Sequence, residues 1–189
     1  VIGLLEMRAE FLGLARPSVR YCRDHDLDWA TIEAACGGVF VAPIRPDRSW
    51  FDFDPEGVEA AVCEALADDG ATVTDLVAWS LTRPDRVLTA VGNAAVLGDA
   101  VAANPATGFG GAPLRIFRTP LAWLRARCDG VVILDPMRAG RWLLDLPFDT
   151  VAAEDQAHAR QLDAMRRAPL ERQALVVPGP RRVQPEAAA

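Results

Sequence analysis

Lysine is absent from this chain of 189 residues: all 20 basic side chains are arginine, set against 26 acidic ones. That absence excludes a P-loop phosphate lysine, a Schiff-base nucleophile and a kinase-type Lys–Glu pair. Serine is nearly as scarce. Ser18, Ser49 and Ser80 are the whole complement, and none stands in the G-x-S-x-G pattern of a nucleophile elbow. Two histidines (His25, His158) and one tyrosine (Tyr21) leave few general bases. Cys22, Cys36, Cys63 and Cys128 include no C-x-x-C pair, and their wide spacing suits reduced thiols more than a disulfide framework. No apolar run approaches the roughly 18–20 residues of a membrane span. The opening VIGLLEMRAEFLGLA carries acids and helical spacing (Leu4, Met7, Phe11, Leu14), which is unlike a signal peptide. The expectation is a cytoplasmic protein with no membrane contact.

What is present is globular in composition, with 51% apolar and 24% charged residues. Arginine in place of lysine, alongside many Ala, Gly and Pro, reads as GC-rich codon usage. The placement of charge is less even than its choice. Residues 1–100 carry 8 Arg and 17 acids, a net of −9, whereas residues 101–189 carry 12 Arg and 9 acids, a net of +3. Such a step suits an anionic partner for the C-terminal half, or attraction between the two halves themselves.

The pattern along the chain predicts an α/β fold with a small mixed sheet: an N-terminal helical and strand segment over 1–57, an α/β domain over 58–178 and a proline-punctuated, disordered tail over 179–189. Asp28 caps a helix through Trp29, Ile32 and Cys36 that Gly37-Gly38 stops. Val39–Ala42 is a strand ended by Pro43 and Pro46, and Trp50–Asp54 alternates like an exposed edge or bulged strand. Val58–Leu66 fits a helix face, yet Asp69-Gly70 between apolar runs is a hairpin signal, and the hairpin is favoured. Thr82 is read as the cap of a helix through Val91, and 103–113 as a loop. Leu114–Phe117, the helix capped by Thr119-Pro120 and Val131–Leu134 form a compact βαβ unit with parallel strands. A strand over Arg141–Leu146, a long helix from Asp149 or Thr150 to Pro169, and a strand over Gln173–Val177 complete the reading.

Candidate chemistry is sparse. Cys22-x-x-His25 with Cys36 is the one metal-like cluster, but it offers three good ligands where zinc wants four, and a surface Cys22/His25 with a buried Cys36 is the simpler account. Asp155-x-x-His158 puts a carboxylate and an imidazole on one helix face, suited to a base and its orienting acid or to two metal ligands, and equally to a first-turn acid beside a core-boundary histidine. Gly108-Phe-Gly-Gly111 precedes a strand, so it is no phosphate cradle. Arg115, Arg118, Arg125 and Arg127 cluster around the βαβ unit with Arg138 and Arg141 just beyond, and together with Arg166, Arg167, Arg181 and Arg182 they are the candidate phosphate contacts.

The run PLRIF, TPLAWLRARCDG, VVILD, VAAEDQAHARQLDAMRRA and QALVVPGP resembles in its rhythm the toprim domains of phage- and plasmid-type primases, over roughly residues 58–180. That family carries a Glu after its first strand and an Asp-x-Asp after a later one, all serving Mg²⁺. Here Arg118-Thr119-Pro120 stands at the first place, and Asp135 or Glu154-Asp155 at the later ones. The resemblance therefore implies a non-catalytic relative without cofactor: an accessory protein of a mobile-element (prophage or plasmid) replication module that binds a replication protein or DNA through its arginine-richer half. The alternative is a small Mg²⁺-dependent phosphoryl-transfer or hydrolytic enzyme using Asp135, Glu154, Asp155 and His158. A third reading is an interaction module using the Trp50–Phe53 strand.

Overall fold

A computed structural model describes residues 3–172. The first helix, α1 (Leu4–Leu14), buries Met7 and Phe11, one turn apart on one face. The chain then forms β1 (Arg16–Pro17), α2 (Val19–Asp24, capped by the Ser18 hydroxyl, which accepts the Tyr21 N–H) and α3 (Trp29–Cys36). As expected, Asp28 stands at the N-cap of α3, and Gly37 ends it in a left-handed conformation, φ +74°.

Five strands follow: β2 (Phe40–Asp47), β3 (Trp50–Phe53), β4 (Val58–Leu66), β5 (Val73–Ser80) and β6 (Val87–Thr89). They pair in the order β2-β3-β6-β5-β4, and β4 returns to β2, which closes a small barrel. Alternate residues point inwards: Ala42, Ile44, Phe51, Phe53, Ala60, Val62, Leu76, Ala78 and Leu88 form one core with Met7 and Phe11 of α1. Closure removes most free sheet edge. The β2–β4 pairing crosses residue 57, so one sheet joins the segments on either side of it.

The favoured hairpin forms, and several other expectations change. Val58–Leu66 is a strand, and Asp69 shapes the hairpin by accepting the Ala71 and Thr72 N–H groups, each at 2.8 Å. Strand β2 runs through both prolines, because each falls where one flank lacks a partner. Pro43 lies between the pairing of β1 (to Val41) and that of β3 (from Ile44), and Pro46 lies beyond the last residue paired with β4. Trp50–Phe53 is an interior strand, flanked by β2 and, at Trp50, by β6. The helix expected from Thr82 is absent. Ser80 Oγ accepts the Thr82 and Arg83 N–H groups to make a turn, and Val87–Thr89 pairs with β5.

The second half builds a four-stranded sheet in the order β10-β8-β9-β7. Its elements are β7 (Val96–Leu97), α4 (Asp99–Ala103), a 3₁₀ segment over Pro105–Gly111, β8 (Leu114–Phe117), α5 (Pro120–Arg125), β9 (Val131–Ile133), α6 (Pro136–Asp145), β10 (Val151–Ala152) and α7 (Gln156–Arg172). The βαβ unit stands as expected, β8 and β9 being parallel. β10 is parallel to β8, and β7 antiparallel to β9. Phe117 and Val132 pack with α5 and the barrel, whereas Leu114, Ile116 and Val131 pack with Leu143 of α6 and Leu162 of α7. Thus α5 covers one face of the sheet, and α6 and α7 the other.

Arg141–Leu146, expected as a strand, is helical in α6 as far as Asp145, and Leu146 is its C-cap. The reason is local: Asp135 caps that helix by accepting the Met137 and Arg138 N–H groups at 2.8 and 3.4 Å, with Pro136 in its first turn. Val151 lies in β10, so the long helix begins only at Gln156, and Pro169 sits inside it. The strand expected over Gln173–Val177 and the tail over 179–189 lie outside the described residues.

Candidate functional site

The chain leaves β8, makes α5 on one face and enters β9. From β9 it makes α6 on the other face and enters β10, on the far side of β8. The connections therefore diverge between β8 and β10. In open α/β sheets the crevice outside the carboxyl ends of two such strands is where ligands bind. Arg118 follows β8 there, and Glu154 and Asp155 follow β10.

Arg118 fills that crevice. Its Nη1 and Nη2 donate to the two carboxylate oxygens of Asp155 at 2.6 and 2.7 Å, and Nη1 reaches Glu154 Oε2 at 3.5 Å. The same Glu154 oxygen accepts the Arg118 backbone N–H at 3.2 Å. Two parallel bonds from a planar guanidinium to one carboxylate make a directional pair. Asp155 is also fixed from behind, because Oδ1 accepts the His158 N–H at 2.8 Å at the start of α7. Its carboxyl is held well below the usual carboxylate range, first by the Arg118 hydrogen bonds and then by the His158 N–H. Asp155 in turn raises the Arg118 guanidinium above its ordinary value.

His158 is 4% exposed. Its Nδ1 accepts the Glu154 N–H at 3.3 Å, which assigns the ring proton of the neutral form to Nε2. Burial, followed by the Arg118 charge, lowers its pKa below the ordinary histidine value. Glu154, Asp155, His158 and Arg118 thus meet at one place. Asp135 does not join them. It caps α6 at the end of β9, and β8 lies between β9 and β10, a separation of two inter-strand spacings or about 10 Å.

The six nominated arginines divide among three places. Arg118 and Arg138 lie at the carboxyl end of the parallel strands, where Arg138 donates to the Gly92 carbonyl at 2.6 Å. Arg115, Arg125 and Arg127 lie at the opposite end, since α5 runs back along the sheet. Arg115 pairs with Asp129 at 3.5 Å and stands 4.9 Å over the Phe117 ring. Arg141 is exposed on α6, across the sheet from α5. Among the described residues Arg125, Arg127 and Arg141 make no ion-pair contact with a carboxylate, although the Arg127 charge acts on Asp28.

Cys22 is 2% and Cys36 3% exposed, so Cys22 is not at the surface, and His25 lies against the Tyr21 ring at 4.4 Å. Among the described residues no group of three or more His, Cys, Asp or Glu side chains is arranged to hold a metal ion, and no helix is long and apolar enough to cross a membrane. A cavity of about 850 Å³ lies elsewhere, between α2 and the outer barrel wall. Arg16 and Arg20 face it together with Asp24 and Glu59, so it presents both signs of charge and no converging set.

Sequence reasoning missed Asp75. This fully buried carboxylate accepts the N–H groups of Leu76, Ala90 and Val91 on Oδ1 and those of Asn93 and Ala94 on Oδ2. It ties the segment after β6 to β5. Its signal was a single charge inside the otherwise uncharged Val73–Leu81 run.

No family model, curated protein or solved structure matches this chain.

Proposed function

We propose that this chain is a non-catalytic, nucleic-acid-binding accessory protein of a mobile-element replication module. The observation that carries the reading is the Arg118 fork on Asp155, with Glu154 on the same guanidinium. In the crevice where a ligand or divalent cation would enter, a tethered cation already satisfies both carboxylates. Reaction chemistry there would first have to break a bidentate pair. The pattern that prompts comparison with toprim domains, strand–helix repeats ending on acids, has an arginine at the place of one acid.

Binding is then carried elsewhere. Arg125 and Arg127 are exposed at the end of α5 beside Arg115 and make no ion-pair contact with a carboxylate among the described residues, a placement that suits contacts to phosphates. A chain with net charge −6 binds a polyanion only through such a local concentration of positive charge. Fluorescence anisotropy with labelled single-stranded and duplex oligonucleotides over a salt series tests the reading. Saturable binding that weakens with salt and is weaker in Arg125→Glu/Arg127→Glu supports it. Absence of binding at low salt, or Mg²⁺-dependent cleavage or phosphoryl transfer by the wild-type chain, overturns it.

A further inference from the structure

We propose that the cleft between α2 and the outer barrel wall binds an apolar dipeptide with free termini, its carboxylate at Arg16 and its ammonium at Glu59. Strand register builds the floor of this cleft. Arg16 of β1 lies opposite Val41 of β2, Val41 lies opposite Ala61 of β4, and Pro43 lies opposite Glu59. Side chains directly opposite one another share a face, as do those two residues apart along a strand. Ala42, Ile44, Ala60 and Val62 fill the barrel, so Arg16, Val41, Pro43 and Glu59 stand on its outer face. Helix α2 lies over that face, where Tyr21 and Cys22 pack with Ala61 and Cys63. The cavity left beside it, about 850 Å³, falls in the range of roughly 300–1,000 Å³ usual for small-ligand sites.

The charges lining the cleft do not converge on one point, and two of them are already matched. Arg20 and Asp24 pair with each other along α2 at 3.5 Å. Arg16 and Glu59 are both exposed at the cleft, and among the described residues neither makes an ion pair. Two inter-strand spacings and two residues of strand separate their Cα atoms, about 12 Å. A cation and an anion on opposite sides of one cleft complement a ligand with opposite charges at its two ends. An extended dipeptide spans about 7 Å, which fits between the two side chains.

Tyr21 adds a donor to the same cleft. It is 7% exposed, and its Oη accepts the Trp79 Nε1–H at 2.9 Å, while its own proton has no acceptor among the described residues. Burial raises the phenol above its ordinary pKa, so the group keeps that proton. A buried hydroxyl that lines a cavity with a proton to give is satisfied by an acceptor placed there, and a peptide carbonyl or carboxylate is one. Leu14, Val41, Leu81, Pro43 and Pro55 make the rest of the lining apolar, which suits aliphatic side chains on the ligand. The mixed charge of this cleft sets it apart from the phosphate contacts proposed for Arg125 and Arg127, and the two readings stand or fall separately.

The test is to titrate the ¹⁵N-labelled full chain with leucyl-leucine, its N-acetyl form, its C-terminal amide and sodium phosphate, following the Trp79 indole N–H resonance. Leucyl-leucine should shift that resonance saturably. Each capped form should bind at least about tenfold more weakly, since each loses one charge-assisted contact. In Arg16→Gln the free acid and the amide should bind alike, with the N-acetyl form still weaker. In Glu59→Gln the free amine and the N-acetyl form should bind alike, with the amide still weaker. Both residues are exposed, so the substitutions leave the core intact. No saturable shift at millimolar leucyl-leucine, equal affinity of the three peptides for the wild-type chain, or capping preferences that neither substitution changes, overturns the proposal. A shift that phosphate alone reproduces overturns it too.

Discussion

Arg118 and Asp155, 37 residues apart, meet through two hydrogen bonds of 2.6 and 2.7 Å that join the carboxyl ends of the adjacent strands β8 and β10. The pair occupies the point at which the sheet's connections diverge, and the partners are 37% and 54% exposed, so solvent screens much of the attraction. Arg118→Ala is expected to lower the melting temperature only slightly at neutral pH. The sign of its pH dependence is fixed. Asp155 has a depressed pKa in the fold, so the pair's contribution is complete above its unfolded value of about 3.9 and is lost as pH falls below it. Wild type and variant should therefore differ at pH 7 and converge in acid. A gap that persists unchanged to pH 2 would place the effect outside this pair.

Asp75 makes the stronger structural claim. Asp75→Ala removes an acceptor of five N–H groups, of which that of Ala90 keeps the Leu76 carbonyl at 2.9 Å, and leaving a buried donor unsatisfied costs about 1–3 kcal/mol. The expected loss on urea denaturation is about 3 kcal/mol or more. A loss under about 1 kcal/mol would show that the 90–94 segment holds its place without the carboxylate.

Gly140 is where α6 meets α7. A Cβ there would stand 2.4 Å from the Met165 carbonyl oxygen and 3.1 Å from Pro169 Cγ. Gly140→Ala should push the helices apart and cost about 1–3 kcal/mol, by denaturant unfolding, even though alanine favours an isolated helix. A neutral or stabilised variant would contradict this close packing.

His158 titrates below an ordinary histidine because burial penalises its charged form. The unfolded chain binds a proton at about pH 6.5, before the folded one does. Its contribution to stability is therefore complete above that pH and declines as pH falls through the window below it. An NMR titration of the imidazole protons should give a midpoint below the free value, and His158→Gln should flatten the stability profile just below about pH 6.5. A midpoint above the free value would require the Glu154 and Asp155 carboxylates to outweigh burial.

The elements that were legible in the sequence are those fixed by local chemistry. Thr119-Pro120, Gly37 and Asp69-Gly70 set helix ends and a turn within a few residues of themselves and stand as read, and Asp28 stands at the N-cap position of α3 without a side-chain capping bond. The misreadings come from partners distant in sequence. Val87–Thr89 is held as a strand by β5 and by the turn at Ser80, and Val151–Ala152 by β8. Trp142 and Leu143 alternate like strand residues, but the cap at Asp135 decides for helix. At the candidate site, the carboxylates and histidine near 154–158 were visible as a cluster. That Arg118 would neutralise them was not, because the pairing depends on β10 lying beside β8 and not beyond β9. The arginine cluster was legible by number, whereas the separation of Arg125 and Arg127 from Arg118 and Arg138 at opposite ends of the sheet follows from the direction of α5, and that of Arg141 from its place on α6.

The most direct test of the account is nucleic-acid binding by the wild-type chain, measured by anisotropy from low to physiological salt beside Arg125→Glu/Arg127→Glu. The account predicts saturable binding whose affinity falls linearly on a log–log plot against salt, and a shallower, weaker dependence in the double variant. Equal affinity of the two proteins, or no binding by either at the lowest salt, would contradict it.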